Sequence, residues 1–228
     1  MNLGPYLLGP NDTPENGIYT GDARELAKAI PDESIDLIFT DPVYDRIDDY
    51  RWLAETGARV LKMDGACLAW CGIGYLPLVV LRMSHALVYR WMLTSVRQGP
   101  GAGRFVGGYS CRKSICLVFN GKPKANGLWD VSFNGRSFMA RQVERDGIFK
   151  WAKHVDTLLR WTEGMSNIGA TIFDPFTGGG TVPAVCKMLS RKYLAFEIDP
   201  DVAQMARDRV RHTQPPLPIE MPTQEVLL

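Results

Sequence analysis

The chain has 228 residues, 46% of them hydrophobic and 22% charged, which is enough for one domain with a substantial core and ordinary for a soluble globular protein. No apolar run reaches the ~18 residues of a membrane span, and the opening MNLGPYLLGPNDTPENG lacks the basic and apolar regions of a signal peptide, so a cytoplasmic protein is expected. The net charge of +1 hides an asymmetry, because residues 1–81 carry −7, residues 82–160 carry +10 and residues 161–228 carry −2, which marks the middle third as a candidate polyanion-binding face.

Residues 1–17 are rich in Pro, Gly and Asn and read as a loose arm. Gly21-Asp22 then precedes a short helical pattern with Leu26, Ala29 and Ile30 on one face. Ile35 to Phe39, apolar but for Asp36, suits a buried parallel strand. A helix is expected from about Tyr50 to Leu61, with Leu53, Gly57, Val60 and Leu61 inward. A strand over Ala66 to Cys71, a helix over Leu76 to Met83 with Pro77 in its first turn, and strands over Leu87 to Thr94 and Ile115 to Phe119 follow. Between those last two, Gln98 to Gly108 holds five glycines, which predicts a mobile loop and no element. Residues 120–148 are polar and basic, with aromatics at Trp129, Phe133 and Phe138. A helical period returns over 151–163. Thr171 to Phe173 is a strand, Val182 to Leu189 a helix and Tyr193 to Phe196 a strand. Asp199-Pro200 is an N-cap followed by a first-turn proline, opening a helix with Val202, Met205, Ala206 and Val210 on one face. The tail from Gln214 is irregular. Alternating strands and helices imply an α/β fold with a doubly wound, mostly parallel sheet. The organisation expected is one domain over 1–212 with a basic insertion at about 97–150, and a tail over 213–228.

The cysteines, Cys67, Cys71, Cys111, Cys116 and Cys186, are odd in number, which argues against a disulfide framework. Their two loose pairs are too widely spaced for the usual zinc pair and lie in apolar runs, so no metal is expected and the thiols read as buried small side chains.

Two motifs carry the chemistry. Thr40-Asp41-Pro42-Val43-Tyr44 puts a carboxylate, a proline carbonyl and an aromatic ring at the end of an apolar strand. Asp174-Pro175-Phe176-Thr177-Gly178-Gly179-Gly180-Thr181 is a glycine-rich strand-to-helix turn, and Phe196-Glu197-Ile198-Asp199-Pro200 ends the next strand on a carboxylate. In a doubly wound sheet ligands sit beyond the carboxyl ends of the strands. Glycines there let backbone approach a ligand, and Glu197 can accept hydrogen bonds from both hydroxyls of a ribose. Neither G-x-G-x-x-G nor a phosphate-binding G-x-x-x-x-G-K-[ST] is present, so a nucleoside cofactor fits better than a dinucleotide or ATP. The acceptors of the first motif suit an exocyclic amine, whose lone pair is delocalised into its ring and gains nucleophilicity when its hydrogens are held. Tyr44 can stack on a base that has left the duplex. A cytosine-C5 enzyme needs a Pro-Cys nucleophile, and no Pro-Cys pair occurs.

On these motifs and their order the chain resembles the β-ordered DNA amino-methyltransferases, in which a D-P-P-Y-type motif precedes D-P-F-x-G-x-G-T. The resemblance covers most of residues 17–212 and implies the Rossmann-like class I methyltransferase fold. It also implies S-adenosylmethionine as cofactor, and a bacterial or phage-infected cell as the setting. The catalytic residues implied are Asp41, Pro42 and Tyr44. Those implied to hold the cofactor are Asp22, Ala23, Asp41, Lys153, Asp174, Phe176, Gly178, Gly180, Thr181 and Glu197. Asp22 has a second reading, as the start of a capping box with Glu25. Of the family's H-P-x-x-K-P segment only Lys153 is retained, beside His154, and Val43 replaces its second proline. Asp at the first motif position, as in the adenine-modifying members, implies methylation of adenine N6.

The nucleic-acid partner is expected on the basic third, through Arg97, Arg104, Arg112, Lys113, Lys122, Lys124, Arg136, Arg141 and Arg145. Such residues hold phosphates without reading sequence. The three aromatics either stack on bases or form a small satellite core. DNA, single- or double-stranded, is the expected substrate; there is no membrane partner, and a homodimer is left open. The short span between Ile115 and Lys153 leaves little room for a target-recognition region, so weak or short sequence selectivity is expected. Other readings are cytosine-N4 or RNA methylation, and a nucleic-acid-binding protein of the same fold without turnover. Protein-glutamine methyltransferases carry a related motif after the glycine turn, an order opposite to this one.

Overall fold

The structure is a computed structural model that describes residues 16–97, 104–106, 109–111, 113–122, 131–134 and 155–214. Its centre is an eight-stranded sheet. The strands in it are β1 (Gly17–Thr20), β2 (Ile35–Thr40), β3 (Leu61–Cys71), β4 (Tyr89–Arg97), β7 (Lys113–Asn120), β8 (Val131–Asn134), β9 (Thr171–Asp174) and β10 (Lys192–Glu197). A separate hairpin pairs β5 (Arg104–Val106) with β6 (Tyr109–Cys111). Across the sheet the order is β1-β10-β9-β2-β3-β7-β4-β8. Neighbours from β1 to β3 run parallel, β7 lies antiparallel between β3 and β4, and β8 is parallel to β4.

The apolar runs expected as buried parallel strands are those the sheet buries. Leu37, Ile38 and Phe39 are fully buried, and so are Leu68 and Ala69. One face is covered by α1 (Ala23–Leu26), α2 (Ile47–Val60) and α3 (Leu76–Met83), which pack Leu26, Leu53, Val60, Val79 and Met83 onto Ile38, Leu117 and Phe173. The other is covered by α4 (Val155–Met165), α5 (Thr181–Met188) and α6 (Pro200–His212), which pack Leu158, Trp161, Val185 and Ala206 onto Leu37, Trp70 and Ala195. Helices on both faces of a mostly parallel sheet make the doubly wound arrangement. Asp199 caps α6 through Asp201 N and Val202 N, with Pro200 in the first turn. Among the described residues Cys67, Cys71, Cys116 and Cys186 are buried and form no disulfide.

Three expectations need correction. The loose arm ends earlier, because Gly17–Thr20 forms β1 on the edge of the sheet, where Ile18 and Tyr19 bury themselves against β10. The glycine-rich stretch does contain an element, β5, which pairs with β6 just beyond it. Val106 pairs with Tyr109, so only Gly107-Gly108 separates β5 from β6, and Gly-Gly is a strong two-residue hairpin signal that its glycine content masked. Within the polar span 120–148, the alternation of Val131-Ser132-Phe133-Asn134 supplies β8 alongside Thr94–Arg97. The expectations for residues 1–15, 98–103, 107–108, 112, 123–130, 135–154 and the tail from 215 fall outside the described residues.

Candidate active site

The chain order reverses between β9 and β2. The strand after β9 lies on one side and the strand after β2 on the other, so a crevice opens at their carboxyl ends. Both motifs end there. Leu37 pairs with Ile172 and Ile38 with Phe173. Two residues further on, Thr40 Oγ1 donates to Asp174 Oδ1 at 2.6 Å, joining segments 134 residues apart in sequence.

The cofactor turn is shaped by its backbone. Gly178 and Gly180 take φ of +49° and +73°, which an L side chain rarely adopts. A Cβ on Gly180 would lie 2.8 Å from Ala206 Cβ, so α6 packs directly against the turn. A Cβ on Gly178 would meet nothing within 4 Å, so the opposite side of the turn faces open space. Glu197 closes the crevice from the end of β10. Its Oε2 accepts from Gly178 N at 2.9 Å and its Oε1 from Asp199 N at 3.0 Å. Each oxygen retains a further acceptor site, so the carboxylate is oriented by the backbone and still able to receive a ribose diol. Open space before a glycine backbone and an aimed carboxylate fit a nucleoside cofactor.

The remaining cofactor candidates divide. Asp174 is 3% exposed, and its carboxyl is turned to Thr40 and to the Phe176 amide at 3.3 Å. Burial pushes it up to about 7, partly offset by the Thr40 hydroxyl, the Phe176 amide and the Thr177 hydroxyl; the nearby Asp41 charge adds to the rise. Asp22 is exposed and caps α1 by accepting from Arg24 N at 2.7 Å, which is the capping reading of that residue. It lies at the crevice nonetheless, since Gly21 N donates to Glu197 O. Ala23 is buried behind it. Thr181 Oγ1 accepts from Arg209 at 2.7 Å. Phe176 meets Trp52 of α2 edge-on, 5.7 Å between ring centres, and the Arg24 guanidinium lies over that tryptophan while pairing with Asp49 at 2.7 Å. Lys153 and His154 lie outside the described residues.

The catalytic turn is shaped by side chains. Asp41 is half-buried, Pro42 is buried, and Val43 projects outward at 56% exposure. The Tyr44 hydroxyl and the Asp41 carboxylate share a hydrogen bond; burial first, then the Asp41 charge, hold the phenol far above its ordinary range, so Tyr44 stays neutral and donates. Its ring lies flush against β3's end. A Cβ on Gly72 would come within 3.0 Å of Tyr44 Cδ2. Tyr50, one helical turn into α2, donates to Trp70 O at 2.8 Å. Sequence reasoning missed Thr40, Trp52 and Gly72. Thr40 stands within the motif but carries none of its chemistry, and nothing in the local pattern links Trp52 or Gly72 to either turn.

The basic residues are sorted by register. Cys71 pairs with Ile115 and Val96 with Lys113, so the start of β7 and the end of β4 lie at the edge of the sheet where the motifs end. Lys113 and Arg97 therefore belong to the active-site edge, and Arg104 lies in the hairpin strand between them in sequence. Lys122 follows the opposite end of β7, where Asn120 pairs with Ala66, and is remote from both motifs. Phe133 lies in β8. Arg112, Lys124, Arg136, Arg141, Arg145, Trp129 and Phe138 are outside the described residues. Among the described residues no helix is long and apolar enough to cross a membrane, and no cluster of metal-ligating side chains occurs.

Comparison with known proteins agrees with this geometry. A family model for DNA methylases of the N6/N4 type matches residues 112–208. The Type II methyltransferase M.HpaI of Haemophilus parainfluenzae is 24% identical, over 85% of this chain and 73% of its own length. M.HinfI of Haemophilus influenzae is 25% identical over 92% and 73%, and M.BamHI of Bacillus amyloliquefaciens 25% over 79% and 54%. Among solved structures, M1.HpyAVI in complex with SAM superposes with a TM-score of 0.72 at 20% identity, covering 85% of this chain and 98% of that one. The cytosine-N4-specific PvuII DNA methyltransferase gives 0.70 at 18%, covering 86% of each. At these identities the structural likeness is one of fold.

Proposed function

We propose that this chain, a member of the DNA N6/N4 amino-methyltransferase family that uses S-adenosylmethionine, methylates the N6 amino group of adenine in DNA. The observation that supports the reaction most directly is the Thr40–Asp174 contact, which brings the amine-holding turn and the glycine turn together at one crevice. The adenine assignment rests on Asp41 at the first position of the motif.

The cofactor, when bound, supplies an electrophilic methyl group on a sulfonium. The chain's own residues do the rest. Glu197 and the backbone at Gly178 would hold the nucleoside end, with Asp22 and Phe176 beside them, while Ala23, Gly180 and Thr181 would support the turn from behind. Asp41 and the Pro42 carbonyl each accept a hydrogen bond from the amine, drawing its lone pair out of conjugation. Tyr44 stacks on the extruded base, and its own hydrogen bond steadies Asp41. The amine is then placed for direct displacement, with no covalent intermediate.

Lys113 and Arg97, on strands that end at the active-site edge, and Arg104 of the β5–β6 hairpin are the residues proposed to contact phosphates, so binding weakens steeply with salt; a flat salt response would remove them from the interface. With so short a span between β7 and α4, recognition is short or weak. Methylation mapping that returned a single site longer than about four base pairs would overturn that part. Nucleoside mass spectrometry of DNA and of RNA after reaction tests the whole reading. N6-methyldeoxyadenosine from DNA is expected, N4-methyldeoxycytidine would reassign the base, and methylated nucleosides from RNA alone would reassign the polymer.

A further inference from the structure

We propose that Thr40 is a positioning residue for methyl transfer. Its hydroxyl ties the strand end that carries Asp41 to the strand end that opens the cofactor turn, and so fixes the separation of acceptor amine and methyl donor. The inference rests on the methyl-transfer reading above.

The connection is needed because of what the sequence places after each strand. Backbone pairing of β2 with β9 runs through Leu37–Ile172 and Ile38–Phe173. Beyond it both chains enter an Asp-Pro step, Asp41-Pro42 and Asp174-Pro175, and a proline has no N–H to prolong a ladder. The Thr40 side chain takes over there, 2.6 Å from Asp174 Oδ1.

Three features suit it to a mechanical role. Thr40 is fully buried, so it touches neither substrate nor cofactor and acts only through its neighbours. Being β-branched, it has little freedom about its first side-chain torsion, so its hydroxyl is a stiff link. And the oxygen it reaches is shared: Asp174 Oδ1 also accepts the Phe176 amide, two residues into the cofactor turn. One buried oxygen thus gathers the strand leading to Asp41 and the turn that holds the donor. A displacement of about 1 Å between reacting groups costs on the order of 100-fold in rate.

The test uses Thr40→Val, which keeps the shape and removes the hydroxyl, and Thr40→Ser, which restores the hydroxyl. Each is confirmed folded by circular dichroism at the assay temperature. Cofactor affinity is measured by calorimetry, and methyl transfer as a single turnover with DNA and cofactor saturating. Thr40→Val is expected to slow the single turnover about 30- to 100-fold while the cofactor dissociation constant stays within about threefold. Thr40→Ser is expected to recover most of the rate. The inference is overturned if Thr40→Val transfers within about threefold of the wild type, if rate and affinity fall in step, or if Thr40→Ser is as slow as Thr40→Val. A wild-type chain that transferred no methyl group at all would overturn the assigned reaction and this role with it.

Discussion

The two turns that meet at the centre of the sheet are built by different means. The one after β9 is mostly backbone work: Thr177 N donates to Phe196 O and Gly180 N to Thr177 O, with two glycines at positive φ, while the Phe176 and Gly178 amides donate to the Asp174 and Glu197 carboxylates. The one after β2 is side-chain work: Thr40 to Asp174, Tyr44 to Asp41, and the Tyr44 ring against Gly72. A backbone-built turn changes little when its side chains change, and fails when a glycine does. A side-chain-built turn can be retuned one residue at a time. On the proposed assignment, the shape of the cofactor turn is therefore set by the fold, and the chemistry on the amine by a few replaceable groups.

The sharpest break of this contrast is Asp41→Ala. It removes the carboxylate proposed to hold the amine and leaves the glycine turn untouched. Methyl transfer is expected to fall by about 1,000-fold or more, while the cofactor dissociation constant moves by less than about threefold. Labelled-methyl transfer and calorimetry read the two quantities, and parallel loss of both would mean the turns are not separable.

Asp174 belongs to both turns and has a pH signature. Its pKa is raised from 3.8 to about 7 in the folded chain, so across that window the folded state binds more protons than the unfolded one. Its contribution to stability is therefore full below about pH 4 and lost as pH rises to about 7, a span on the order of 4 kcal/mol. Denaturant melts of the wild type and of Asp174→Asn between those limits should differ in slope, the asparagine variant losing this falling component. Identical slopes would mean that the carboxyl is already ionised in the folded chain at low pH.

The same division decided what could be read from the sequence. The backbone-built turn was legible, because glycines at fixed spacing and an acidic strand end announce their geometry, and Gly178, Gly180 and Glu197 lie where that spacing implied. The apolar strands β2 and β9 and the Asp199-Pro200 cap were legible for the same local reasons. The side-chain-built turn showed its motif but not its supports. Thr40 meets Asp174 across 134 positions, and Trp52 meets Phe176 only because α2 folds over the crevice. Such contacts are made by topology, and no local period encodes them. The pairing of β5 with β6 was obscured for another reason, since the glycines around them look, in composition, like those of a loop.

The glycines and Glu197 sharpen the contrast on the cofactor side, with smaller effects. Gly180→Ala meets both a positive φ and Ala206 Cβ at 2.8 Å, and should cost about 3 kcal/mol of stability in denaturant melts. Glu197→Ala should weaken cofactor binding by roughly 30-fold, about 2 kcal/mol, with turnover at saturation less affected. An unchanged dissociation constant would take the ribose contact away from it.

Gly178→Ala is the most discriminating although its effect on the fold is the smallest. Its φ of +49° lies in the left-handed region, where an alanine costs about 1 kcal/mol, and no protein atom within 4 Å would clash with the new methyl. If the space before Gly178 is empty in function, that small loss of stability is the whole effect. If the cofactor packs there, the methyl group enters its volume, and affinity should fall by about tenfold or more while stability moves only by the φ penalty. Gly180→Ala should show the reverse pattern, with stability falling ahead of affinity, because its clash is with α6. Two alanines two residues apart, one read by a melt and the other by a titration, would then separate the side of the turn that belongs to the fold from the side that belongs to the ligand.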